Sequence, residues 1–211
     1  MRKVVRFRWF PGLSAAALGA LLFACMLPGT ARAGSTTPAE TVDRLHASLL
    51  EVMQDADGLK FTGRRERLSP AIRASFDFAF ISRIVLGRYW GELSEDDRKR
   101  MVDTFTELTL ATYASRFDGY SGERFQQMEI TPMSRGRMLV RTEMVRPGKD
   151  TVQLDYVLQE ENGKWLIVNV VANGVSDLSL KRADYGSILK SQGFDSLIAR
   201  LRTQIAELGG G

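Results

Sequence analysis

The hydrophobic period of this chain changes twice along its length. From Thr37 to about Tyr120 the apolar residues recur at three- and four-residue spacings, after Gly122 they alternate, and from Ser176 to Leu208 the helical spacing returns. Helices from both ends of a chain, with strands grouped between them, predict an α+β fold rather than an alternating parallel one.

Within the first block, Leu45, Leu49, Val52 and Met53 line one stripe of a helix that Asp55 to Gly58 should end. A second helix is expected over Arg64 to Phe76, with Ser69-Pro70 as an interruption, since the residue before proline is pushed away from helical geometry. Asp77 is placed to cap a third helix, through Ile81, Ile84 and Val85, that stops at Gly87. Ser94, followed by three acids, opens a long fourth helix to about Phe117. One of its stripes carries Met101, Phe105, Leu108 and Thr112, and a second carries Leu110, Tyr113 and Phe117, so it should be covered on two sides.

Four strands are predicted at about Phe125–Thr131, Arg137–Arg146, Thr151–Gln159 and Lys164–Val171. Ser134-Arg135-Gly136, Pro147-Gly148-Lys149 and Glu161-Asn162-Gly163 separate them, which makes a four-stranded antiparallel meander. Val152, Leu154, Tyr156 and Leu158 share one face, and helices should cover it. Two further helices are expected, Asp184–Lys190 and Phe194–Leu208, broken at Ser191-Gln192-Gly193.

The N-terminus reads as an export signal, residues 1–33, ahead of a single domain at 34–211. Arg2, Lys3, Arg6 and Arg8 precede an apolar run from Leu13 to Leu27, and Ala31-Arg32-Ala33 fits signal cleavage. Cys25, the one cysteine, lies inside this leader; ordinary cleavage fits better there than lipid attachment, because bulky Phe23 suits an acylation site poorly. Five of the 29 basic residues and none of the 25 acids fall in the leader, so the exported chain carries 24 against 25. That balance removes the electrostatic case for nucleic-acid binding, and export without disulfides points to a bacterial periplasm.

Catalytic vocabulary is sparse. His46 is the single histidine, and helix packing or a surface position explains it; neither a nucleophile elbow nor a phosphate-binding glycine loop occurs. No catalytic residue, metal ligand or cofactor site is therefore assigned, although Asp155 or Asp177 beside a cavity would leave an enzyme open. Methionines and aromatics are plentiful. Phe76 to Trp90, "FDFAFISRIVLGRYW", holds ten apolar residues in fifteen, short of the roughly 20 that a bilayer span needs. Such residues suit an adaptable apolar cavity, and equally a packed core.

Several stretches resemble the MlaC family: "VLGRYW" at 85–90, "FTELTLATYASRF" at 105–117 and "KWLIVNVVANGVSDLSLKRADYGSILKSQGFDSLIARL" at 164–201. The resemblance implies a periplasmic phospholipid-binding shuttle, an auxiliary component of an ABC-type lipid transport system, with an apolar cavity between sheet and helices. It implies docking on an MCE-domain ABC transporter at the inner membrane and on a lipoprotein–porin complex at the outer membrane, with no hydrolysis by the shuttle itself. "RFDGYSGERF" at 116–125 resembles the hopanoid-associated HpnM branch, which leaves a polycyclic hopanoid open as an alternative cargo.

The expected lipid-lining set is Phe80, Ile84 and Val85 from the greasy segment, Leu108 and Thr112 from the long helix, Met138, Val140, Tyr156, Val168 and Val170 from the sheet, and Tyr185, Ile188 and Leu189 from the C-terminal helices. Each could instead be core. Arg83, Arg88 and Arg137 are candidates for a cationic rim, with plain solvated charge as the competing reading.

Overall fold

The structure, a computed structural model, describes residues 36–210. The expected export signal and Cys25 lie outside the described residues.

Helix α1 (Pro38–Gln54) opens with a reciprocal cap: the Thr37 hydroxyl accepts from the Glu40 amide, and the Glu40 carboxylate accepts from the Thr37 amide at 2.7 Å. Helix α2 (Ala56–Ser75) follows at once, kinked at Lys60, which sits at φ 53°. It starts before the expected Arg64 and runs through Pro70 instead of breaking there. Pro70 and Glu66, whose carbonyl loses its partner, are both exposed, so water can take the lost hydrogen bond.

The Asp77 carboxylate accepts from the Phe80 amide at 2.8 Å and starts α3 (Phe78–Leu86), which Gly87 ends at φ 56°. A 3₁₀ segment (Gly87–Glu92) leads to α4 (Glu95–Arg116), capped by Ser94 as its sequence predicts.

The sheet is antiparallel, in the order β1 (Arg124–Met133), β2 (Arg137–Val145), β3 (Val152–Glu161), β4 (Lys164–Ala172) and β5 (Val175–Ser176). It thus has five strands, one more than expected. The short β5 returns from β4 through Asn173-Gly174, whose positive φ angles of 48° and 80° mirror those of Asn162-Gly163 (52° and 77°). Helix α5 (Asp177–Gln192) begins well before the expected Asp184, because Ser176 caps it by accepting from the Ser179 amide. Gly193 ends it and α6 (Phe194–Gly209) closes the chain.

Two bulges steer the faces. Between Gln127 and Glu129 the β1 register slips by one at Met128, and between Asn169 and Ile167 the β4 strand carries Val168 as an extra residue opposite β3. Leu158, Ile167, Tyr156 and Val140 are buried on the inner face. The other face is polar, with Arg141 held between Glu129 and Asp155.

Helix α1 lies on this inner face against β1, β2 and β4, whereas α4 packs mainly on α2, α3 and α6. The stretch of β4 beyond β5 is capped as well: Asp77 donates its amide to the Ile167 carbonyl at 3.0 Å, and Thr36 and Thr41 bond the Trp165 backbone. Those contacts satisfy groups that would otherwise form an open sheet edge. Among the described residues no helix is long and apolar enough to cross a membrane.

Candidate functional site

Because α4 stands off the sheet, a cavity of about 250 Å³ lies between them. Its floor follows from strand alternation: Val152, Leu154 and Tyr156 of β3, Met144 of β2, and Val170 and Ala172 of β4. The β4 bulge adds two consecutive residues, Val168 and Asn169, where a regular strand would supply one. Phe105, Leu108, Thr109, Thr112, Tyr113 and Phe117 of α4 form the roof, and Phe76 and Ile81 close one end.

A wider groove of about 510 Å³ adjoins it, toward α5 and α6. Leu108, Thr112, Arg116, Asp177 and Lys181 line both spaces, so these two helix edges form their common border. The cavity is apolar, while the groove adds Asp184, Gln204 and Glu207. Together the spaces fall within the ~300–1,000 Å³ typical of ligand sites.

A chain of rings holds the layers apart. Phe125 stacks on His46 at 3.9 Å between centroids, and the series continues through Phe117, Tyr113, Phe76, Phe78 and Phe105 to Tyr185 at spacings of 5.6–6.5 Å. Rigid rings in edge and stacked contacts resist collapse better than flexible chains would.

The polar groups are few and mostly occupied. Thr109 and Thr112 donate back to the carbonyls of Phe105 and Leu108, and Asn169 accepts from Ser176 and the Leu178 amide. Tyr156 shares a hydrogen bond of 3.0 Å with His46 Nε2. Burial pushes the His46 imidazole down to about 4, so it is neutral at physiological pH. Burial likewise raises the phenols of Tyr113 and Tyr156, and the Asp177 carboxylate pushes Tyr113 further the same way. Among the described residues no group of His, Cys, Asp and Glu is arranged to hold a metal ion.

Of the expected lining residues, Leu108, Thr112, Tyr156, Val168 and Val170 lie on the cavity wall, and Tyr185 lies on the groove. Val85, Val140, Ile188 and Leu189 are instead buried in the core, while Phe80, Ile84 and Met138 are half-buried away from both spaces. The greasy segment does reach the cavity, but through Phe76 and Ile81. Among the methionines of the described residues only Met144 lines it; Met53 and Met101 are core, and Met128 and Met133 are exposed.

The expected cationic rim is also displaced. Arg83 lies over the Phe80 ring, Arg88 donates to the Tyr89 hydroxyl, and Arg137 donates to the Ser134 carbonyl, all away from the cavity. The cationic side chains on the cavity wall are Arg116 and Lys181. Sequence spacing carried the signal for Arg116, because it follows Leu108 and Thr112 at four-residue steps.

The chain matches the MlaC protein family over residues 43–203, most of its length. This chain belongs to the MlaC family. Its curated relatives include the intermembrane phospholipid transport system binding protein MlaC of Haemophilus influenzae, 24% identical over 167 residues, covering 77% of this chain and 76% of that one. Among solved structures the MlaC-family fold is shared with a phospholipid-binding protein from Ralstonia solanacearum in complex with a phospholipid. That match has a TM-score of 0.71 at 18% identity and covers 80% of this chain and 96% of the other. At that identity it speaks for the fold, and the fold agrees with the α+β architecture read from the period changes.

Proposed function

We propose that this chain is a periplasmic phospholipid carrier, moving lipid between the inner and outer membranes as part of an MCE-type ABC lipid transport system. The observation that carries this reading is an apolar cavity, roofed by α4 and floored by β3 and β4, that runs into a polar groove. An amphiphile needs that sequence of environments. Each buried CH₂ is worth about 0.8 kcal/mol, so an acyl chain leaves a membrane only for a site that shields it comparably. The carrier exchanges one apolar environment for another and needs no catalytic step. Its partners are then the inner-membrane MCE-domain transporter and an outer-membrane lipoprotein–porin complex.

The experiment is native mass spectrometry of the purified protein, followed by extraction and identification of what it carries. Near-stoichiometric phospholipid is the expected result. An empty protein contradicts the carrier reading, and a polycyclic hopanoid in place of phospholipid contradicts the cargo.

A further inference from the structure

Along the border shared by cavity and groove, α4 presents Leu108, Thr112 and Arg116 at successive four-residue steps. Their exposure rises in that order: Leu108 is buried, Thr112 half-buried and Arg116 exposed. Eight residues of helix at 1.5 Å each span about 12 Å. The ridge therefore grades from hydrocarbon through hydroxyl to guanidinium over a short distance.

Arg116 differs from the arginines that acids hold, and unlike Arg83, Arg124, Arg135, Arg182 and Arg202, which also lack an acid partner among the described residues, it lines the cavity. Arg65 and Arg73 share Glu107, Arg100 binds Asp97 and Asp195, and Arg141 binds Glu129 and Asp155. The acid beside Arg116 in the cavity wall, Asp177, is taken by Lys181, one turn along α5. Arg116 has no ion-pair or side-chain hydrogen-bond partner among the described residues. One turn before it, Tyr113 also lines the cavity, and its hydroxyl likewise has no partner among the described residues. Two donors without acceptors thus line the apolar cavity, and one of them, Arg116, lies on its border with the groove.

We propose that Arg116 and Tyr113 form the phosphate-binding subsite of this carrier, gripping the phosphodiester of a glycerophospholipid while its acyl chains occupy the cavity. The inference rests on the carrier reading above and adds a headgroup requirement to it. A guanidinium and a phenol can both donate to one phosphate, and charge-assisted hydrogen bonds of this kind are stronger than neutral ones. Glu207, and Asp184 with its Arg200 partner at 3.8 Å, also line the groove; the Glu207 carboxylate disfavours a second negative charge and accommodates an ammonium group.

The test offers the delipidated protein dioleoyl phosphatidylethanolamine and dioleoylglycerol in competition, lipids that share their acyl chains and differ in the phosphate headgroup. The ratio bound is read by native mass spectrometry. Wild type should favour the phospholipid by at least about tenfold, the equivalent of one charge-assisted contact in a half-open site. Arg116→Gln should bring the ratio close to one, Arg116→Lys should keep most of the preference by keeping the charge, and Tyr113→Phe should lower it less than Arg116→Gln. Arg116 is exposed, so an unchanged melting temperature is expected and separates the effect from misfolding.

A wild-type ratio near one, or an Arg116→Gln protein that melts normally and retains the wild-type ratio, overturns the subsite while leaving the carrier intact. If wild type binds neither lipid, the carrier reading fails, and the subsite fails with it.

Discussion

The inner face of one sheet is solid at one end and hollow at the other. At Leu158 and Ile167 both side chains are fully buried, with α1 packed against the neighbouring strands β4 and β2. Four residues along β3, Leu154 faces a cavity, opposite Ala172, and both are half-buried. The residue types hardly differ between the ends. What differs is the distance to the layer above, which α1 closes and α4, braced by Tyr113, Phe117 and Phe76, does not. Core and cavity are thus set by the spacing of the layers, and Tyr156 stands at the boundary with its ring in the cavity wall and its hydroxyl on His46.

Truncation at the solid end should cost most. Leu158→Ala is expected to destabilise the fold by about 2–5 kcal/mol, the usual range for a new void in a packed core. Urea denaturation measures this, and a loss below about 1 kcal/mol would mean that the solid end is not solid.

At the boundary, His46 predicts a pH effect of about 3 kcal/mol. Its imidazole takes a proton near 6.5 when unfolded but only at about 4 in the fold. As pH falls between those values the unfolded state alone binds the proton, so stability is full above 6.5 and declines toward 4. His46→Gln removes that contribution, and the stability difference between variant and wild type should change across the window by that amount. A difference independent of pH would place His46 in a wetter site than this one.

The smallest effect is expected at the hollow end. Leu154→Ala enlarges a space that already exists, so it should cost about 1 kcal/mol or less. A loss equal to that of Leu158→Ala would erase the contrast between the two ends.

Local chemistry was legible in the sequence wherever it is local in the fold. Asp77 and Ser94 cap the helices they precede, Asn162-Gly163 turns a hairpin, and the alternation through Val152 to Leu158 states which residues face inward. The fifth strand was missed, although a second Asn-Gly pair at 173–174 marks its turn. Pro70 misled because its cost depends on solvent at Glu66, which a pattern does not reveal.

The cavity was legible only by face. Choosing between Phe80 and Ile81, or between Val140 and Val170, requires knowing where the second layer of helices stands off, and that is set by long-range packing of α4 on α2, α3 and α6. Arg83, Arg88 and Arg137 were attractive for their charge alone, whereas Arg116 gains its position from a ridge whose lower end is buried.

If the hollow end holds the lipid, filling it should expel the lipid. Leu154→Trp and Val170→Trp together place two large rings on the cavity floor, where both native side chains are half-buried and face space. Phospholipid extracted per mole of purified protein is then compared with wild type. About one lipid per wild-type chain and less than about a tenth of that in a folded double variant are expected, because two indole rings take the volume that the acyl chains need. Full lipid content in the folded double variant would contradict a lipid site at the hollow end.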